Sequence, residues 1–180
     1  MQVLTLRGPA VSHVIETYGN ALTELRKYVP DLVLVGGAVR DVYFKRPVKD
    51  LDFMTCDDQA VRVISEYYGE TIRNCLDEPV NEYEGDSNTL IAAYETASKG
   101  ANVLRVSDIH LHIALFPDSL SQIWTDGEQV YATPGFNKTA ADRRVVCNDR
   151  MRLERMGRLM AKYPDFTFVP PPQSNRSEVP

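Results

Sequence analysis

Cysteine is scarce in this chain: three in 180 residues, at Cys56, Cys75 and Cys147, widely spaced and odd in number. With no Cys-x-x-Cys pair they suggest neither a zinc site nor a disulfide framework, and are expected to be small buried thiols in a reducing compartment. Long apolar runs are absent too. None approaches the roughly 20 residues needed to cross a bilayer. The N-terminal Met1–Arg7 has no basic stretch leading into an apolar one, so a signal peptide is not expected, and a cytoplasmic location is. Histidine is rare: three residues, of which His110 and His112 stand two apart on an expected helix and read as ordinary surface or core histidines. Trp124 is the single tryptophan and reads as a core residue of a short apolar strand. An excess of positive charge is also missing. The net charge of −5 argues against a protein that coats nucleic acid non-specifically.

The charge that is present is unevenly spread. Lys138 to Tyr163 carries eight Lys/Arg against three Asp/Glu, so a basic segment follows an acidic body. The length suits one domain with a substantial core. Val11, Val14, Ile15, Tyr18, Leu22 and Leu25 recur at helical spacing and predict a helix over roughly 10–28. Leu32-Val33-Leu34-Val35 is a buried strand running into Gly36-Gly37. One or two helical turns follow over 38–45, then a strand from Leu51 to Thr55 and a helix over 58–69 that stops at Gly69. Residues 74–88 are acidic and aperiodic and read as a loop. Strands are expected over 89–96 and 102–106, a short helix over 108–115, and a hairpin around Asp126-Gly127. Leu153, Met156, Met160 and Tyr163 mark a C-terminal helix, and residues 169–180 a flexible Pro-rich tail. The alternation predicts an α/β (α+β) fold: a mixed β-sheet with flanking helices and a C-terminal helix. The expected organisation is a core over 1–137, a basic helical segment over 138–168 packed on it, and the tail.

The chemistry concentrates between Leu34 and Phe53. A strand that opens into two glycines lets backbone approach a ligand with no Cβ in the way. The helix start that follows turns N–H groups toward that space, a seat for phosphate. Asp50 and Asp52, separated by one residue on a strand, project to one side. Two such carboxylates repel unless a divalent cation lies between them. A phosphate seat and a magnesium site within about twenty residues suit phosphoryl or nucleotidyl transfer.

Gly36, Gly37, Val39, Arg40, Asp41, Lys49, Asp50 and Asp52 together resemble the first signature motif of the class II CCA-adding enzymes and bacterial poly(A) polymerases, within the DNA polymerase β superfamily. One departure is Lys45, where a glycine is usual. The resemblance implies a nucleotidyltransferase fold and a two-metal enzyme that moves a nucleotide from a nucleoside triphosphate such as ATP to a hydroxyl on RNA, a small molecule or a protein. It implies that Asp50 and Asp52 ligate magnesium or manganese, and that Gly36 and Gly37 lie under the triphosphate. Arg40 would contact phosphate or brace the site, and Asp41 would hold the loop.

The superfamily adds a third carboxylate from a neighbouring strand. Asn102 stands where that acid is expected, and Glu95, Asp108 and Asp118 are other candidates. A second signature is only faintly echoed by Phe116–Ile123 with Asp126-Gly127. The large helical domains of a tRNA-adding enzyme have no counterpart in this length, which suggests a small stand-alone member of the kind phage genomes encode. Arg152, Arg155 and Arg158, opposite the Leu153/Met156/Met160 stripe, form a basic helix face that either is solvated or contacts RNA. Two functions are therefore expected: an active nucleotidyltransferase, or a degenerate fold kept as a binding or inhibitory module for a protein partner.

Overall fold

The computed structural model describes residues 1–75 and 89–171. Among the described residues the elements follow in the order β1 (Leu4–Thr5), α1 (Pro9–Arg26), β2 (Val33–Val35), α2 (Gly37–Tyr43), β3 (Leu51–Thr55), α3 (Ala60–Tyr68), β4 (Ile72–Asn74), β5 (Leu90–Thr96), β6 (Ala101–Val106), α4 (Ile109–Ala114), β7 (Ile123–Thr125), β8 (Val130–Ala132), α5 (Pro134–Asp142), β9 (Arg144–Val146), α6 (Leu153–Lys162) and β10 (Thr167–Val169). A 3-10 turn, Ser119–Ser121, leads into β7.

Eight strands form one mixed sheet in the order β1-β8-β7-β2-β3-β6-β5-β4. β3 and β6 run parallel, with α3, β4 and β5 between them in the chain, and the other neighbours are antiparallel. The predicted mixed sheet with flanking helices is therefore the fold. β9 and β10 form a separate parallel pair.

The period of two along each strand divides the core between the sheet faces. Leu34, Phe53, Val103 and Ile123 point to the face covered by α1 and α3, where they meet Val14, Leu22, Leu25 and Ile64. Val33, Val35, Met54, Leu104 and Trp124 point to the other face, which α4 covers in part through Ile113. Trp124 is a core residue, as its apolar strand predicts.

Local signals end the helices. Gly69 caps α3 in the left-handed conformation, with its N–H on the Glu66 carbonyl. α2 closes in a Schellman motif: the Lys45 N–H donates to the Val42 carbonyl and the Arg46 N–H to the Asp41 carbonyl. That motif puts Lys45 at φ +57°. Lys45, which stands where the resembled motif usually carries glycine, thus occupies a position where the backbone favours glycine.

Several expectations are corrected. α5 was not foreseen, because its apolar residues are sparse; Pro134 at its first turn and the Thr133 side chain accepting from the Phe136 N–H start it. β1, β4, β9 and β10 are too short to show a period. Val169, the first residue of the expected tail, belongs to β10, and its carbonyl accepts from the Cys147 N–H. Residues 172–180, and 76–88 of the expected loop, lie outside the described residues. Cys75 and Cys147 are buried, but Cys56 is exposed, just past the end of β3. Of the Leu153/Met156/Met160 stripe only Met156 packs on the core: Leu153 is 81 % exposed and Met160 48 %. α6 instead turns inward the side that carries Leu159, and Tyr163 and Phe166 beyond it complete the contact.

Candidate active site

Register brings the two halves of the expected site together. β2 and β3 are antiparallel, with Val35 opposite Asp52. Gly36 and Gly37 leave the end of β2 beside the start of β3, where Asp50 precedes Leu51 and Asp52 follows it. Gly36 has φ +63° and ψ −125°, a conformation for which a side chain is poorly suited, and its N–H is held by the Ile123 carbonyl at 2.9 Å. Gly37 has ordinary backbone angles. A methyl group there would meet the Arg40 guanidinium at 3.5 Å, an ordinary contact.

Asp50 and Asp52 are both partly exposed. The Lys49 ammonium lies 3.9 Å from Asp50 Oδ2. Asp52 shares its sheet face with Val35 and Met54, and its Oδ1 accepts a hydrogen bond from Asn102 Nδ2 at 2.9 Å. The parallel register pairs Asp52 with Asn102 directly. The neighbouring-strand position opposite Asp52, where the resemblance implies a third acid, thus holds an amide. The other candidates are engaged elsewhere. Asp108 caps α4 by accepting from the Leu111 N–H, and Glu95 accepts from Arg73 Nη2 at 2.8 Å. Asp118 is buried, pairing with the half-buried Arg155 and accepting from Ser121 Oγ.

Two carboxylates fit the protein's share of a magnesium site, since that ion commonly takes one or two carboxylates and completes its shell with water and substrate phosphates. No group of three or more His, Cys, Asp and Glu side chains placed to hold a metal occurs among the described residues.

Arg40 and Asp41 sit behind the glycine turn, 6 % and 2 % exposed. Arg40 Nε donates to Asp41 Oδ1 at 2.8 Å and Nη1 to Ser121 Oγ at 3.1 Å. Tyr163 Oη donates to Asp41 Oδ1 at 2.7 Å, and Lys162 Nζ to Asp41 Oδ2 at 2.7 Å. Ser121 Oγ donates in turn to Asp118 Oδ1, and Arg155 pairs with Asp118 Oδ2 at 3.3 Å. α6 is thereby tied to α2 by charge-assisted bonds in a largely dry interior. Burial alone would raise the Asp41 carboxyl, but the Arg40 charge and the bonds from Arg40, Lys162 and Tyr163 outweigh it and hold it below the usual range. Burial pushes the Tyr163 hydroxyl far above its ordinary value.

Sequence reasoning missed this network because Asp118, Ser121, Lys162 and Tyr163 are 77 to 123 residues from Arg40 and Asp41 along the chain; only packing joins them. It also makes the expected three-arginine face a two-arginine one. Arg155 turns toward Asp118, while Arg152 and Arg158 are exposed. His112 is buried with its Nδ1 2.6 Å from Thr89 Oγ1, and His110 packs near Trp124, both structural placements. A hollow of about 960 Å³ is lined by Pro9, His13, Val42, Lys45 and Arg46 and one of about 500 Å³ by Phe116, Gln122, Lys138, Arg144 and Asn148; Asp50 and Asp52 line neither.

The fold is that of the nucleotidyltransferases. Among solved structures the chain is similar to a CCA-adding enzyme in apo form, with a TM-score of 0.59 at 12 % identity over 94 % of this chain and 46 % of that one. A CCA-adding enzyme in complex with CTP matches with a TM-score of 0.58 at 13 % identity, over 94 % and 44 %. A tRNA nucleotidyltransferase complexed with a primer tRNA and an incoming ATP analogue matches with a TM-score of 0.52 at 13 % identity, over 82 % and 46 %. The chain therefore spans less than half the length of these neighbours. No protein-family model and no curated protein matches it.

Proposed function

We propose that this chain is a metal-dependent nucleotidyltransferase that transfers a nucleotide from a nucleoside triphosphate to an acceptor hydroxyl. The observation that carries the reading is the Val35–Asp52 register, which sets the Gly36-Gly37 turn beside Asp50 and Asp52. The fold shared with nucleotidyltransferases supports it. On this reading Asp50 and Asp52 hold divalent cations, magnesium or manganese, which when bound supply charge neutralisation at the triphosphate and activation of the attacking oxygen. Gly36 and Gly37 offer a backbone surface on which the triphosphate lies close. Arg40 and Asp41 brace that turn from behind rather than reaching into it. Residues 1–137 act as the catalytic core and 138–168 as the segment that braces it. Among the described residues no helix is long and apolar enough to cross a membrane, and the proposed setting is the cytoplasm.

RNA is the proposed acceptor class, supported by the tRNA-bound structural neighbour and by the exposed Arg152 and Arg158. The test is transfer of radiolabelled nucleotide from each of the four α-labelled triphosphates, with manganese or magnesium, to a mixture of short RNAs. Wild type should label RNA, and Asp52→Asn should lower the rate at least about a hundredfold, the size of a lost charge-stabilising group. Triphosphate binding without transfer to any acceptor would favour the second reading, a fold retained as a binding module for a protein partner.

A further inference from the structure

The face of the sheet that carries Asp52 holds a row of polar side chains crossing four strands. Asp52 on β3 pairs with Asn102 on β6, Asn102 with Glu95 on β5, and Glu95 with Arg73 on β4. The carboxylate of Asp52 can only accept hydrogen bonds, so the amide of Asn102 must present its nitrogen to it. The 2.9 Å contact to Oδ1 is therefore an N–H donation. An N–H cannot ligate a cation, and it occupies a lone pair that a cation at Asp52 would use. The next acid along the row adds little negative charge there, because Glu95 is matched by Arg73 at 2.8 Å.

We propose that Asn102 sets the metal affinity of this site: its amide competes with a divalent cation for Asp52 Oδ1, so that the Asp50–Asp52 pair holds a cation firmly only when a triphosphate brings further oxygen ligands. This rests on the reading of Asp50 and Asp52 as the metal-binding pair. Its consequence is an order of binding. Metal and nucleotide arrive as one complex, and the protein without nucleotide stays largely metal-free at cellular magnesium levels. An acid at position 102 would remove the competing donor and add a charge within ion-pair reach of the cation, with an expected gain of about tenfold in affinity. Alanine would remove the donor alone, with a gain of a few-fold.

Manganese titrations followed by the electron paramagnetic resonance signal of the free ion test this, each with and without a non-hydrolysable ATP analogue. Wild type should bind manganese weakly alone and at least about tenfold more tightly with the analogue. Asn102→Ala and Asn102→Asp should both tighten binding in the absence of nucleotide, the aspartate variant more. The alanine variant keeps the test open should the aspartate, with an uncompensated charge, fail to fold. Unchanged or weaker binding in the alanine variant would overturn the competition, and tightening in the aspartate variant alone would reduce it to a charge effect. Asp52→Asn separates the two layers. If it binds manganese and analogue as wild type does, the site reading itself fails. If it loses binding while Asn102→Ala matches wild type, only the role of Asn102 is lost.

Discussion

Lys45 shows how one side chain can sit against the preference of its backbone. It occupies the left-handed position that ends α2, at φ +57°, just after the turn that carries Arg40 and Asp41. A Cβ there costs roughly 1 kcal/mol, part of which glycine would return through the greater entropy of its unfolded chain. Lys45→Gly is accordingly expected to stabilise by about 0.5 kcal/mol, a rise in melting temperature of roughly 1–2 °C. A fall on thermal denaturation would show that the lysine side chain makes a contact worth more than the strain. Gly36 is the opposite case. Its backbone angles are the reason it is glycine, whereas Gly37 has room for a methyl group, so Gly37→Ala probes ligand approach without first disturbing the turn.

The contact between α6 and α2 is where one element braces the turn beside the candidate site. Asp41 receives bonds from Arg40, Lys162 and Tyr163, the last two at the end of α6. Asp41→Asn would leave the buried Arg40 guanidinium under-compensated and should cost about 2–4 kcal/mol at neutral pH. The sign with pH follows from the depressed carboxyl. Its contribution is complete above the ordinary carboxylate pKa and is lost as pH falls through the lower folded value. Melting temperatures of wild type and Asp41→Asn should thus be furthest apart near pH 7 and converge below about pH 4. A gap that stays constant would mean that the pair is not ionised as described. The outer side of the same helix bears on the acceptor. If RNA docks there, Arg152→Gln with Arg158→Gln should reduce the log–log salt slope of binding by about 1.4, at about 0.7 per lost contact on a single strand. Arg155→Gln should act differently, lowering stability through Asp118.

For the whole molecule, the C-terminal strand closes the fold. β10 pairs with β9, Phe166 lies in the main core, and Phe168 packs against it. A chain ending at residue 171 is expected to melt with the full chain, because the Pro-rich remainder has little apolar surface to repay its ordering. A chain ending at residue 166 loses β10 and the Phe168 contact. It should lose about 2 kcal/mol, or roughly 4–8 °C. Equal melting temperatures for the two truncations would show that β10 is dispensable.

By itself the sequence determined the parts whose signals are local. The amphipathic spacing of α1, the apolar run of β2, the stop at Gly69 and the turn at Asp126-Gly127 all lie within a few residues of what they specify. So does the Gly36-Gly37 to Asp50–Asp52 spacing of the proposed site, because a strand, a short helix and a strand carry it in one stretch of chain. What only the tertiary structure decided depends on residues distant in sequence. β9 and β10 are three residues each, too short for a period, and exist because they pair across α6. The inward side of α6 was legible only in part, through Met156 and Tyr163: Leu153 and Met160 face out, while the long charged side chains of Arg155 and Lys162 reach buried carboxylates at Asp118 and Asp41. Whether Asn102 faces Asp52 is a question of strand register, and the β3–β6 pairing that answers it is made by hydrogen bonds between segments fifty residues apart.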